Sequence, residues 1–402
     1  MIFSSIQLRS IASVPARRVN RCFHVATLRQ KTCDRLRVLF CGSDDFSVAS
    51  LRALHQEMVD GSPADIDSIE VVCRPGKRTG RGLKTITHPP IRAVAQDLGL
   101  RLHEIDTFRH WQAPLDINLV IAVSFGLMVP RRILEAARYG GLNVHPSMLP
   151  DLRGAAPLQH TLLQHRKWTG VSVQTLHPTK FDHGVVINQS PFPGVPVAKG
   201  SSTLELRDVL APLGAELLLH TLRNKLFVDP IQPVTLSEEQ IRTLTGNMGI
   251  AAAPKIRPED RQLKWDEKPS IEDILLRSQV LGRLWDVTTY SKVTSATETK
   301  RIMYENWTEH RIEGDYFELS VQNDLSLLIP VDTQEGIDSA RPLQFVVQRE
   351  ADESKGSFDK GRKIYTSEFT VEGGPKGGGG KELLRQMIRH RTDGLFGKLR
   401  VP

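Results

Sequence analysis

An amide and an imidazole stand two residues apart in Asn143-Val144-His145-Pro146-Ser147-Met148-Leu149-Pro150, at the end of an apolar run. In a strand, residues two apart share a face, so Asn143 and His145 present their side chains to one point in space. Pro146 and Pro150 then stop regular pairing and stiffen the turn, and Gly154 leaves room for close backbone approach or a positive φ. Asp182 lies in the turn-rich stretch His177-Pro178-Thr179-Lys180-Phe181-Asp182-His183-Gly184, at a loop tip beside a sheet edge. Singly these are ordinary turn residues. Together they form a set able to hydrogen-bond a carbonyl oxygen, position a proton carrier and orient that carrier.

The surrounding pattern supplies the scaffold. Val38-Leu39-Phe40-Cys41 reads as a short buried strand, followed by a turn over 42–46 and a helix carrying Val48, Leu51 and Leu54. Strand 69–73, helix 89–98 and a central strand over 116–123, apolar on both faces, continue the alternation. Helix 157–164 and strands 169–176 and 185–187 follow. This predicts an α/β fold with a doubly wound, mostly parallel sheet, whose ligands bind where polar strand ends gather. Gly42 lacks the further glycines of G-x-G-x-x-G, so the dinucleotide fingerprint is missing. Ser202-Thr203-Leu204-Glu205 is a capping-box pattern opening a helix, expected to break near Pro212, that runs through Leu222.

The charge of +7 over 402 residues is unevenly placed. Residues 1–33 carry Arg9, Arg17, Arg18, Arg21, Arg29 and Lys31 with no acid, the composition of a mitochondrial presequence. The cysteines at 22, 33, 41 and 73 form no C-x-x-C pair and read as free thiols, and no metal site is expected. No run of about 18 apolar residues occurs, so membrane insertion is not expected. Arg74-Pro75-Gly76-Lys77-Arg78-Thr79-Gly80-Arg81-Gly82-Leu83-Lys84 holds five basic side chains and no acid. It does not match the P-loop spacing. It reads as a mobile, positive loop suited to a nucleic-acid backbone.

In these residues the chain resembles the formyltransferases that use 10-formyltetrahydrofolate, specifically their methionyl-tRNA branch. The matching stretches, in order, are 36–46, the basic loop through Pro89, 116–130, 141–163 and 169–189. N-x-H followed by S-x-L-P marks the formyl-transfer family at large, and the basic loop resembles the tRNA-engaging insertion of the methionyl-tRNA members. The resemblance implies that Asn143, His145 and Asp182 are the catalytic trio and that Ser147, Leu149 and Pro150 belong to the folate-site motif. It implies tRNA contacts by Lys77, Arg78, Arg81 and Lys84. Pro146 and Met148 stand where Gly and Leu are usual, and Val185 replaces an acidic residue often found after D-x-G.

The implied chemistry is direct formyl transfer from 10-formyltetrahydrofolate to the α-amino group of initiator methionyl-tRNA in the mitochondrial matrix, without metal or covalent enzyme intermediate. Loss of one oxyanion donor would then cost about 3 to 4 kcal/mol of barrier. The expected organisation is a catalytic domain over 34–227, a linker over 228–251 and a small OB-like tRNA-binding barrel over 252–402, acting as a monomer. Short strands are expected at 284–290, 301–304, 316–321, 325–329, 343–347 and 364–371, and a basic terminal helix offers Lys381, Arg385 and Arg389 to phosphate. Two alternatives share parts of the pattern. Another formyl-folate enzyme, a transferase or hydrolase acting on a small-molecule amine, would keep the trio without needing the basic loop. A non-catalytic RNA-binding protein would leave the trio unexplained.

Overall fold

The computed structural model describes residues 31–61, 63–114, 116–291, 297–322, 325–332, 336, 337, 342, 344–348, 362–374 and 376. The expected presequence and the basic terminal helix with Lys381, Arg385 and Arg389 lie outside them.

In chain order the first half comprises β1 (Leu36–Gly42), α1 (Asp45–Asp60), β2 (Ile66–Cys73), β3 (Lys77–Thr79), β4 (Thr85–Thr87), α2 (Pro90–Asp97), β5 (Arg101–Glu104) and β6 (Leu119–Val123). It continues through α3 (Arg131–Ala136), β7 (Gly141–His145), α4 (Pro157–Leu163), β8 (Trp168–Thr169), β9 (Ser172–Thr175), β10 (Val186–Gln189), β11 (Val195–Pro196) and α5 (Thr203–Arg223). Seven strands form one sheet in the order β10-β9-β7-β6-β1-β2-β5. Five of them, from β7 to β5, run parallel, and β9 is antiparallel to both its neighbours.

Alternation along β1 explains the two layers. Val38 and Phe40 join the cluster with Phe46 and Leu54 of α1 and Leu210 of α5, whereas Leu39 and Cys41 pack with Val120, Phe108 and Ile133 on the opposite face. A strand covered on both sides has no place for polar residues, and β6 is buried throughout. From β1 the chain moves outward through β2 to β5, then crosses to β6 and β7 on the other side. β1 and β6 stay paired to their last residues, Gly42 and Val123, but the connections that leave them go opposite ways, which opens a crevice there.

Several boundaries differ from expectation for local reasons. β6 starts at Leu119 because the Asn118 side chain stands in for backbone: its Oδ1 accepts from Arg37 N at 2.8 Å and its Nδ2 donates to the Arg35 carbonyl at 2.8 Å. The stretch 169–176 divides into β8 and β9, with Ser190 Oγ accepting from Val171 N between them. α5 runs unbroken through Pro212. The carbonyl that Pro212 cannot serve is that of Asp208, and both residues are exposed, so the lost bond falls on the solvent side of the helix. The basic loop is a paired hairpin, β3 against β4, with a 3-10 turn over Arg81–Leu83. Edge strand β5 was not expected.

Beyond α6 (Glu238–Thr245) and α7 (Ile271–Leu281) come β12 (Leu284–Ser291), β13 (Thr297–Glu305), β14 (Tyr316–Gln322), β15 (Leu325–Asp332), β16 (Gly336–Ile337), β17 (Gln344–Gln348), β18 (Lys363–Thr366) and β19 (Glu368–Val371). They form two antiparallel sheets, β12-β13-β19 and β14-β15-β17-β18, with β16 on β15. The stretch expected as one strand over 364–371 turns a corner at Ser367, where Thr366 Oγ1 accepts from Glu368 N at 3.2 Å, and so passes from one sheet to the other. Tyr304, Trp307, Phe345 and Phe369 fill the core between these strands.

Candidate active site

Asn143 and His145 end β7 at the crevice, as two-residue periodicity requires. β9 pairs antiparallel with β7 so that Asn143 lies opposite Gln174 and His145 opposite Ser172. Directly opposed residues share a face, so Gln174 joins the pair. The loop after β9 brings in Asp182, held at φ +55, in the left-handed region. Gly184 lets the loop fold back: a Cβ there would lie 1.6 Å from the Thr175 carbonyl oxygen.

The Asp182 carboxylate is the hub. Its Oδ1 accepts from Asn143 Nδ2 at 3.0 Å and from Gln174 Nε2 at 3.1 Å, and its Oδ2 accepts from Gly154 N at 3.0 Å. His145 Nδ1 lies 3.4 Å from Oδ1, with both side chains under a tenth exposed. The other ring nitrogen, Nε2, is 3.0 Å from the Leu152 carbonyl oxygen. A carbonyl can only accept, so Nε2 carries hydrogen. Nδ1 is then the ring position that can gain or lose a proton, and it does so against a carboxylate.

The segment supplying these anchors is itself held from behind. Leu152 N donates to the Ala251 carbonyl at 2.8 Å, and Ala253 N donates to the Arg153 carbonyl at 2.7 Å. Gly154, at φ +132, passes so close that a Cβ would lie 2.3 Å from the Ala253 oxygen. Beneath them Arg166 bonds Asp151 Oδ1 at 3.0 Å, the Thr245 carbonyl at 2.7 Å and the Gly249 carbonyl at 2.9 Å. Burial pushes the Asp151 carboxyl up, against the opposing pull of the Ala251 N–H and Arg166. Part of the stretch expected as a linker thus braces the loop behind the site.

A cavity of about 410 Å³ opens over these groups. Asn143, His145, Gln174 and Asp182 line it, with Phe125, Leu127, Met128 and Val129 beyond β6 and Asp44 beyond β1. Asp44 also caps α1 by accepting from Ser47 N at 3.1 Å. Burial pushes its carboxyl up, and bonds from Ser47 and Ser124 oppose that. Among the described residues no group of His, Cys, Asp and Glu side chains is arranged to hold a metal ion, and no helix is long and apolar enough to cross a membrane.

The other expected site residues fall in different places. Ser147, Leu149 and Pro150 do not line the cavity. Ser147 Oγ donates to the Asp151 carbonyl at 2.7 Å, and Leu149 N donates to Ser172 Oγ at 3.0 Å, so they build the turn beneath it. Lys77, Arg78 and Lys84 are exposed on the β3–β4 hairpin, whose turn contains the Arg81 backbone. Gln174 and Gly154 escaped the sequence reading as hub contacts. Alternation along β7 points to Asn143 and His145 alone, whereas Gln174 follows from the pairing of β7 with β9.

Residues 35–222 match the formyl transferase family model. The mitochondrial methionyl-tRNA formyltransferase of Saccharomyces cerevisiae is 31% identical over 338 residues, covering 74% of this chain and 81% of that one. Its counterpart in Homo sapiens is 34% identical over 248 residues, covering 62% of this chain and 57% of that one. Among solved structures, a sugar N-formyltransferase from a Shewanella species aligns with a TM-score of 0.44 at 15% identity, over 66% of this chain and 96% of that chain.

Proposed function

The chain belongs to the methionyl-tRNA formyltransferase family, and on that premise we propose that it moves the formyl group of 10-formyltetrahydrofolate to the α-amino group of initiator methionyl-tRNA, in the mitochondrial matrix. The observation that carries the reading is the convergence of Asn143, His145 and Asp182 at the mouth of one cavity. Its volume of about 410 Å³ falls within the roughly 300–1,000 Å³ usual for ligand sites, and its apolar wall suits a flat ring.

Bound there, the folate supplies an electrophilic formyl carbon whose oxygen gains negative charge as the amine adds. Free α-amino groups titrate at about 7.7 to 8.0, so a neutral nucleophile is available near neutrality and no activated Ser or Cys is needed. Asn143 uses one amide hydrogen on Asp182 and keeps the other for the formyl oxygen. Its orientation is fixed by that bond, since a turned amide would set oxygen against carboxylate. His145 Nδ1 takes the proton of the added amine, the imidazolium so formed is held by Asp182, and the proton passes to N10 as the C–N10 bond breaks, leaving formyl-methionyl-tRNA and tetrahydrofolate. The carboxylate stays in place because Gly154 N and Gln174 hold it independently of the reacting groups.

The division into a catalytic domain over 34–227, a linker over 228–251 and a tRNA-binding, OB-like domain over 252–402 belongs to the same proposal, as does a monomeric state. So does tRNA contact by the β3–β4 hairpin through Lys77, Arg78, Arg81 and Lys84, and by Lys381, Arg385 and Arg389. The test is transfer of labelled formyl from 10-formyltetrahydrofolate to charged initiator tRNA, with free small-molecule amines as competing acceptors. Transfer to the small amines alone would replace this reading with that of a small-molecule formyltransferase.

A further inference from the structure

We propose that Gln174 is a positioning residue for formyl transfer, fixing the Asp182 carboxylate against the His145 ring. The inference rests on the reading above that Asp182 serves the reaction. Gln174 is 1% exposed and stands opposite Asn143 across the β7–β9 ladder. Its Nε2 donates to Asp182 Oδ1 at 3.1 Å, on the same oxygen that takes Asn143 Nδ2 at 3.0 Å and faces His145 Nδ1 at 3.4 Å. The amide cannot turn over, because its oxygen would then meet a carboxylate. Oε1 is consequently directed away from Asp182, buried and without a hydrogen-bond partner among the described residues.

An unpaired buried carbonyl oxygen weakens a fold, and a methionine of similar length would avoid that penalty. What glutamine adds is the donor on Asp182. That donor matters because Arg153 Nε holds only the Asp182 backbone carbonyl, at 2.8 Å, so rotation of the carboxylate is set by the groups that bond its oxygens. Gly154 N holds one carboxylate oxygen and the two amides hold the other. With Gln174 removed, Oδ1 keeps Asn143 as its one side-chain amide donor among the described residues, and Asn143 is also the side chain assigned to the formyl oxygen.

The experiment uses full-length Gln174→Met and Gln174→Glu. Gln174→Met is expected to keep or raise the melting temperature while kcat falls at least about tenfold, the equivalent of one hydrogen bond to a charged group. KM for methionyl-tRNA should stay within about twofold, since the residue is 1% exposed and its amide donor is engaged on Asp182. In Gln174→Glu, a protonated carboxyl still donates to Asp182 and an ionised one repels it. Turnover relative to the parent should therefore decline as pH rises. Parental kcat in a folded Gln174→Met overturns the inference while leaving the functional reading intact. Should that variant fail to fold, a pH-independent activity ratio for Gln174→Glu overturns it instead. A parent that cannot formylate methionyl-tRNA defeats the functional reading and this inference with it.

Discussion

Asp182→Asn changes the hub while preserving its shape, and its two effects separate. Two side-chain amides donate to Oδ1 and one backbone N–H to Oδ2, so the asparagine oxygen must occupy the Oδ1 position and its NH₂ then opposes Gly154 N. One hydrogen bond is lost, worth about 1 to 2 kcal/mol of stability. The larger effect is on turnover, because His145 Nδ1, 3.4 Å from Oδ1, loses the charge that holds its protonated form. A unit pair 3.4 Å apart attracts by roughly 5 kcal/mol at an effective dielectric of about 20, and with about half recovered by the amide dipole and relaxation, roughly 2 to 3 kcal/mol remain. At about 1.4 kcal/mol per decade that is about thirty- to a hundredfold in kcat. Single-turnover formylation with saturating folate and tRNA, run beside thermal melting, measures both. A folded Asp182→Asn within about threefold of the parent would refute the assignment of Asp182 as the charge partner of His145.

Asn143→Ala and His145→Ala should each lower turnover at least about a hundredfold with little change in tRNA affinity, and near-normal turnover in the His145 variant would remove the mechanism. Neutralising Lys77, Arg78 and Lys84 on the hairpin together, or Lys381, Arg385 and Arg389 in the tail, should raise KM for tRNA and flatten its dependence on salt. An unchanged salt slope would place the phosphate contacts elsewhere. Glu57, buried on α1, accepts from Arg223 Nε of α5 at 2.8 Å and from Ala64 N at 3.3 Å, and the bond from Arg223 lowers its carboxyl below the ordinary value. A lowered carboxyl contributes stability above its unfolded value and loses it as pH falls through the folded one. Glu57→Gln should therefore melt earlier than the parent near neutrality, by about 1.5 to 3 kcal/mol, with the gap closing in acid. A gap that is the same at both ends of the titration would show that Glu57 acts through packing alone.

The parts of the fold legible in the sequence were those carried by local pattern. Strands buried on both faces announce themselves as apolar runs, as β1 and β6 do, and the spacing of Asn143 and His145 gives a shared face without any tertiary knowledge. Edge strand β5 reads Arg-Leu-His-Glu, exposed at both ends and only half-buried between, so it lacks that signal. Pro212 was a true breaker signal overridden by its solvent-facing position and by packing of α5 on the sheet. Bracing of Leu152 to Gly154 by Ala251 to Ala253 depends on backbone pairing across about a hundred residues, for which three alanines give no clue. The corner at Ser367 likewise depends on which sheet each half joins. Gln174 belongs to a middle class, readable only after β7 and β9 are known to be neighbours.

The central claim is tested most directly by incubating purified protein with 10-formyltetrahydrofolate and charged initiator methionyl-tRNA, then measuring formyl-methionine released from the tRNA, for the parent and for His145→Ala. The account predicts formyl-methionyl-tRNA from the parent and at least about a hundredfold less from the variant, with neither modifying free methionine or other small amines. A parent that leaves methionyl-tRNA unformylated, or a His145→Ala protein as active as the parent, would contradict it.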